Sequence, residues 1–483
     1  MKVLILNPPS LSSGNVVRDA IYGCWCKGKR IGGAKTPPYP LLLLATVIKD
    51  QGHDAEVIDA SAQHITVEGA VARTKAFDAV VINSSVMTFA EDAKVLRILK
   101  DSNEKLRTVV SGAAPTFMPE FCLKDPGVDI IVRREPEFII RDLINSLGSG
   151  DPRWHDLLGI GYKKDSSPVI NAQYPFIENL DDLPFVDWSL LPRGADYFNP
   201  VIKRYPYVTD LTTRGCPGQC IFCMSPPFYG FKVRGRSAEN VLEGFRRFIR
   251  QGYREVYLRD EMFTSLKNRN RQIFETMIKE KMGLSWLCSV KIGSINREDM
   301  RLMKRAGCHT IKFGVETGVQ KILDNIRKGI TLEQVRDAFK WAKQLGINTH
   351  AHVMVGHPGE NKNTIKETIR FLKEIDPTTV TFGILTPYPG TPLFEEVSKR
   401  HPEIKDGFSL DLATLHSSSF FTETFCDLKP DELAYYEKAL HRWFYWRPVY
   451  LAKWLFRIRS FSDLKRITKA GLRIMDFSVR GDE

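Results

Sequence analysis

The stretch Arg214-Gly215-Cys216-Pro217-Gly218-Gln219-Cys220-Ile221-Phe222-Cys223 places three cysteines at C-x3-C-x2-C spacing, directly after a strand-like run from Tyr207 to Thr213. Three thiolates on a loop softened by Gly215, Pro217 and Gly218 can wrap a cube-shaped iron–sulfur cluster, each corner iron taking one thiolate. The fourth iron is then open to a substrate or cosubstrate, as a three-ligand zinc site keeps its catalytic position. Zinc is the competing reading, but it wants a fourth Cys or His close by, and the next thiol, Cys288, is distant in sequence.

The spacing, Phe222 ahead of the last cysteine and the elements that follow resemble the radical S-adenosylmethionine (SAM) superfamily. The resemblance implies a 4Fe–4S cluster held by Cys216, Cys220 and Cys223, with its open iron chelating the amino and carboxylate groups of SAM. One electron from the cluster would cleave SAM to a deoxyadenosyl radical that abstracts hydrogen from unactivated carbon. It also implies SAM contacts beyond Phe222. Asp260 and Glu261 stand where the family holds the amino group, Glu316 where it bonds the ribose hydroxyls, and His352 and Gly356 near the adenine. A carboxylate suits a vicinal diol because it accepts two hydrogen bonds.

The elements that would position these residues read as strands at Glu255–Leu258, Ser285–Val290, Thr310–Val315, Asn348–Val355 and Thr379–Ile384, each followed by helical periodicity. With the strand before the cysteines they make a partial (β/α)6 TIM-like barrel over 205–400, with chemistry expected at the strand C-termini. Tyr388, in Pro387-Tyr388-Pro389-Gly390 after the last strand, is a candidate for touching substrate.

Before the barrel, strands at Lys2–Asn7, Gly52–Asp59, Asp78–Asn83, Leu106–Gly112 and Asp129–Val132 alternate with helices. Residues 1–150 therefore form an α/β, doubly wound, Rossmann-like domain with five parallel strands, and a ligand belongs beyond the strand C-termini. The small and hydroxyl residues there would let a large ligand approach the backbone. A phosphate site is weakened by the lack of Gly-x-Gly-x-x-Gly after the first strand. The domain resembles the cobalamin-binding domain that precedes the radical domain in a large branch of the superfamily, notably from Pro37 through Gly52-His53 to Asp59. The resemblance implies cobalamin contacts at Ser84, Ser85, Thr88, Gly112, Ala113, Thr116 and Glu135. The last lies in Arg133-Arg134-Glu135-Pro136-Glu137, where relatives tend to carry Gly-Glu-Gly-Glu. No Asp-x-His-x-x-Gly is present, so cobalt would have no protein imidazole; His53 and His64 read as surface or packing residues. The loop Gly23–Gly33, with Cys24, Trp25 and Cys26, could cover a cofactor or be merely exposed.

Residues 151–204, rich in Pro and Asp with weak periodicity, read as a linker. Residues 401–483 read as a helical, basic and aromatic C-terminal region, with helical period from Leu433 to Lys453. It can lie on a membrane interface, apolar face down, and a cap packed on the barrel accounts for it equally well. The chain of 483 residues exceeds one core, and its 43% hydrophobic fraction is ordinary for a globular protein. No apolar run is long enough to span a bilayer and no secretory leader opens the chain, which points to a cytoplasmic protein, with association at a membrane surface the other expectation. Nine cysteines in such a chain argue for metal or redox chemistry over disulfides. The net charge of +12 fits an anionic substrate or membrane surface; no nucleic-acid-binding signature accompanies it.

The expectation is a cobalamin-dependent radical SAM C-methyltransferase, in which one SAM supplies a methyl group by way of methylcobalamin and a second supplies the radical. Its partners would be a small-molecule or lipid substrate and an electron donor such as flavodoxin or ferredoxin. The alternatives are a cobalamin-dependent radical oxidase or cyclase without methyl transfer, and a non-catalytic metal-stabilised binding module. The module leaves Asp260, Glu261 and Glu316 unexplained.

Overall fold

A computed structural model describes residues 1–11, 16, 18, 34–404, 425–455, 458 and 461–480; the loop with Cys24 and Cys26 lies outside them. The first sheet contains β1 (Lys2–Asn7), β2 (Asp54–Asp59), β3 (Ala79–Asn83), β4 (Arg107–Ser111), β5 (Ile130–Val132), β6 (Ile160–Lys164) and β7 (Ser167–Ile170), in the order β2-β1-β3-β4-β5-β6-β7. β1 to β5 pair in parallel. Their apolar runs are buried on both faces, as helix-covered parallel strands require: Val3 and Ile5 join one core, Leu4 and Leu6 the other. The order reverses between β1 and β3, which opens a crevice at the strand ends.

The sheet corrects the expectation of five strands and of a plain linker over 151–204. β6 and β7 extend it, β6 antiparallel to β5 and β7 antiparallel to β6. Asp165 and Ser166, at φ 49° and 64°, make the two-residue turn between them, the left-handed pair whose twist suits a tight hairpin.

The second sheet is built from β8 (Tyr207–Asp210), β11 (Glu255–Leu258), β12 (Ser285–Val290), β13 (Cys308–Glu316), β14 (Asn348–Val355) and β15 (Thr379–Ile384), all parallel and neighbouring in that order. This is the partial six-stranded barrel read from the sequence. A ribbon of β9 (Thr213–Arg214) and β10 (Arg234–Gly235), antiparallel, spans the cluster loop.

An open barrel leaves two strand edges to be satisfied. On β15, the helix Pro430–Tyr445 supplies side chains where a strand would supply backbone. The Val380 N–H donates to Tyr445 Oη at 3.1 Å, and the Phe382 N–H donates to His441 Nε2 at 3.2 Å. Burial lowers His441 to about 4, so the ring is neutral and its Nδ1–H donates to the Glu437 carbonyl at 2.8 Å. On β8, Tyr207 Oη donates to the Lys35 carbonyl and Thr209 Oγ1 to the Pro37 carbonyl, both at 2.9 Å. The helix read from Leu433 to Lys453 is two, Pro430–Tyr445 and Pro448–Leu455, divided ahead of Pro448, whose ring cannot continue a helix. A further helix, Phe461–Arg480, reaches the other domain edge, where Arg466 donates to the Pro200 carbonyl at 2.9 Å. Among the described residues no helix is long and apolar enough to cross a membrane.

Candidate active site

The cluster loop leaves β9 through Gly215, whose φ is +90° and whose hydrogen faces the Lys232 carbonyl; a Cβ there would lie 2.2 Å from that oxygen. Only glycine allows this approach. The Cys216 N–H then donates to the Gly230 carbonyl at 3.1 Å, the Ile221 N–H to the Ile326 carbonyl at 3.2 Å, and the Leu393 N–H to the Ile221 carbonyl at 2.8 Å. The loop is thus tied to three separate segments. Cys216, Cys220 and Cys223 are half-buried and not disulfide-bonded, and a Cβ on Gly218 would lie 3.2 Å from Cys216 Sγ and 4.0 Å from Cys220 Sγ. Thiols spread around a loop suit the separate corners of a cube.

The residues expected around SAM divide into two sorts. Asp260 is engaged by the protein at one oxygen: Oδ1 accepts from the Thr212 N–H at 3.1 Å and from the Thr212 and Thr213 hydroxyls, each at 2.7 Å, while Oδ2 has only the Thr212 N–H at 3.2 Å. It braces the strand leading into the cysteines and still borders the cavity. Glu261 is the opposite case. Its Oε1 accepts from Ser225 at 2.9 Å, while Oε2 is buried with no partner among the described residues. Burial pushes its carboxyl up to about 7. An orphaned carboxylate oxygen facing a cavity is what an ammonium ligand needs, so the site fits SAM.

Glu316 ends β13 at φ +63°, beside a register shift between Gly314 and Glu316, which turns its carboxylate into the barrel mouth. There it pairs with Lys328. Lys328 was not anticipated. Against its burial, Glu316 and the thiols of Cys220 and Cys223 hold it above its ordinary range, and it lies 6.0 Å from the Phe222 ring. Gly356 follows β14 at φ +90°. Its N–H and that of His357 donate to Glu360 Oε2 at 2.5 and 3.2 Å, and burial raises Glu360 to about 7. His352 lies deeper in the barrel, with Nδ1 2.9 Å from Thr381 Oγ1.

Phe222, Glu261, Glu316, His352, Met354 and Tyr388 all border one cavity of about 740 Å³ that runs through the barrel to the C-terminal helices. Tyr388 is 5% exposed and donates to Met87 Sδ at 3.4 Å, so it reaches the first domain. Val86, Met87, Ala113 and Met118 of that domain pack with Met224 and Tyr388 into a single apolar layer. The strand ends of the two sheets therefore meet face to face.

The residues expected around cobalamin are buried and largely engaged. Ser84 Oγ donates to Asp92 at 2.7 Å, the Ser85 and Thr88 hydroxyls lie 3.1 Å apart, and Thr116 Oγ1 donates to the Gly112 carbonyl at 2.6 Å. Gly112 makes room for a neighbouring side chain of its own domain. At φ +105° its missing side chain accommodates Asn83, whose Oδ1 would lie 2.0 Å from a Cβ. Glu135 is likewise no free contact: it accepts from Arg214 at 3.1 Å and from Arg234 at 2.9 and 3.0 Å. Beside these, a crevice of about 70 Å³ opens at the ends of β1, β2 and β3, lined by Asn7, Asp59 and Asn83. Arg18 enters it, pairing with Asp92 at 2.7 Å and Asn7 at 2.8 Å while its Nη2 is buried with no partner among the described residues. An unpaired guanidinium nitrogen at a β1/β3 switch point fits the amide- and phosphate-bearing edge of cobalamin.

Comparison with known proteins agrees with this geometry. The B12 binding domain family matches residues 32–144 and the Radical SAM superfamily matches residues 211–372. An uncharacterized methyltransferase of Pyrococcus horikoshii is 33% identical over 399 residues, covering 82% of this chain and 83% of that protein. The anaerobic magnesium-protoporphyrin IX monomethyl ester cyclase of Rubrivivax gelatinosus is 27% identical over 412 residues, covering 83% and 70%. Among solved structures, the cobalamin-dependent SAM radical enzyme OxsB aligns over 100% of this chain and 73% of its own, at a TM-score of 0.68 and 18% identity. The radical SAM methyltransferase TsrM of Kitasatospora setae aligns over 84% and 79%, at 0.65 and 17%; both show the fold.

The class defined by this fold and site is the radical SAM enzymes. The chain belongs to their cobalamin-dependent family, with a 4Fe–4S cluster, SAM and cobalamin as its cofactors.

Proposed function

We propose that this enzyme is a C-methyltransferase acting on an unactivated carbon. The observation that carries the reading is the apolar layer joining Met87 and Ala113 to Met224 and Tyr388, because it sets the first domain's strand ends directly against the residue following Cys223. A methyl carrier and a radical source held by the two domains would serve one cavity. When bound, the cluster supplies the electron that cleaves SAM and cobalamin carries the methyl group.

The chain's own residues do the rest. Glu261 Oε2 accepts from the ammonium of SAM, and Glu316 accepts from the ribose hydroxyls with Lys328 fixing its carboxylate. The loops Ser84–Thr88 and Gly112–Thr116, which carry Val86, Met87 and Ala113 of the apolar layer, would hold the macrocycle, with Arg18 of the neighbouring crevice at its edge. Met87, Ala113, Met224 and Tyr388 keep water from a reactive radical. The substrate is a small molecule or lipid, and a flavodoxin- or ferredoxin-type donor feeds the cluster. Trp446, Val449, Leu451, Leu472 and Met475 are exposed on the C-terminal helices and support a peripheral membrane contact there.

The similarity to a cyclase favours a second reading, radical oxidation or ring closure without methyl transfer. The by-products separate the two. Anaerobic incubation of reconstituted protein with SAM, substrate extract and reductant should give deoxyadenosine and S-adenosylhomocysteine together; deoxyadenosine alone would support the cyclase-like reading.

A further inference from the structure

The inner half of the cavity holds a cation that the SAM contacts leave unused. Alternation along β13 puts Lys312, Gly314 and Glu316 on its inward face, and the register sets Lys312 beside His350 and Gly314 beside His352 on β14. Lys312 lies two residues further from the cluster loop than Gly314. Its Nζ donates to Tyr257 Oη at 2.8 Å and sits 5.3 Å from that ring's centroid. Among the described residues it has no carboxylate partner, although four carboxylates border the cavity. Asp260 is held by Thr212 and Thr213, Glu261 by Ser225, and Glu316 by Lys328, while Glu437 belongs to the cap helix Pro430–Tyr445.

The surroundings of Lys312 are polar but uncharged. His350 Nδ1 faces Thr379 Oγ1 at 2.7 Å and His352 Nδ1 faces Thr381 Oγ1 at 2.9 Å, with the two rings 4.5 Å apart. Burial first, then Lys312, pushes both imidazoles well below their ordinary range, so they are neutral. Among the described residues His352 makes a hydrogen bond through Nδ1, and its ring borders the cavity. A half-buried ammonium on a cavity wall, whose one hydrogen-bond partner among the described residues is a phenol, is placed to take an anion. Toward the other side the cavity is bordered by Trp446, Tyr450, Leu451, Trp454, Ile474 and Met475, a largely apolar wall with Arg466 and Glu437 also on it.

We infer that the cavity takes an amphipathic acid, its oxyanion bound by Lys312 Nζ with Tyr257 Oη and His352 Nε2 alongside, and its apolar body laid along the cap helices. The inference rests on the cavity being the substrate site. It names the substrate class, a carboxylate or phosphate monoester on a hydrocarbon frame.

The test is equilibrium binding to the reconstituted full chain, followed by fluorescence, of a dansyl-labelled undecanoic acid and of its methyl ester. A charge-assisted hydrogen bond predicts that the acid binds about tenfold or more tightly than the ester. Lys312→Met should bring the acid down to the ester's affinity and leave the ester unchanged, while Lys312→Arg should keep the preference. Iron content equal to wild type shows that each variant is folded. Competition by dodecanoate or by dodecyl phosphate then tells which headgroup the site prefers. Equal binding of acid and ester, binding of neither, or a preference that survives Lys312→Met would overturn the inference. The probe binds without turnover, so failure of methyl transfer would sink the proposed reaction and leave this result standing.

Discussion

Arg214, two residues before the first cysteine, forms a forked pair with Glu137 of the first domain, Nη2 to Oε1 at 2.6 Å and Nη1 to Oε2 at 3.1 Å. Both side chains are almost fully buried, and Glu135 joins them to Arg234 on the far strand of the β9–β10 ribbon. The cluster loop is therefore clamped to the cobalamin domain by a closed network of charges. A buried pair of this kind adds little net stability against an apolar substitute, but it fixes register, and breaking it strands a charge.

Removing one member should be severe. Arg214→Ala leaves Glu137 buried and unpaired, and should lower stability by about 3–5 kcal/mol in denaturant unfolding, with a parallel loss of iron incorporation. A loss below about 1 kcal/mol, the range of a solvent-exposed pair, would show that the clamp is not closed in solution.

Cys216→Ala, Cys220→Ala and Cys223→Ala should each abolish deoxyadenosine formation, because a cube with three protein ligands has none to spare. Cys288→Ala is the control: that thiol is buried in β12 within the main core, away from the loop. Full SAM cleavage by any of the first three would overturn the ligand assignment.

Glu360 gives a pH signature. Its folded-state pKa of about 7 lies above the ordinary value of 4.5, so the native protein keeps a proton that the unfolded chain has lost. Stability then falls as pH rises from 4.5 to about 7, by on the order of 3 kcal/mol from this group. Below 4.5 both states hold the proton and the penalty vanishes. In Glu360→Gln that part of the slope should disappear; an unchanged slope across the window would assign it elsewhere.

The two sheets and the cysteine loop were legible because each has a local signal: period-two or continuously apolar runs, turn residues, and a fixed spacing of thiols. What the sequence concealed is long-range. Nothing near Glu135 announces that its partner is Arg214, 79 positions on, and the same carboxylate read alone suits a ligand contact equally well. Lys328 in Arg327-Lys328-Gly329 looks like any surface cation until β13 turns Glu316 toward it. Gly112, read alone, suits the approach of a ligand, and only the fold sets Asn83 against it. The β6–β7 hairpin did leave a trace, the turn-forming Asp165-Ser166 between two short apolar runs, masked by the low periodicity around it.

The C-terminal helices carry a prediction of their own. Exposed Trp446, Val449 and Leu451, with the arginines and lysines nearby, should make the protein pellet with anionic vesicles and release as salt screens the attraction. Trp446→Ser with Leu451→Ser should reduce pelleting without changing iron content. Absence of pelleting at low salt would leave these residues as the cavity's outer wall alone.

The central claim is methyl transfer to carbon at the junction of the two domains. Its most direct test is anaerobic turnover with SAM carrying a deuterated methyl group, extract as substrate and mass spectrometry of the products. The account predicts a product that gains the labelled methyl carbon, formed alongside deoxyadenosine and lost in Cys223→Ala. A product formed with deoxyadenosine but without the label would contradict it.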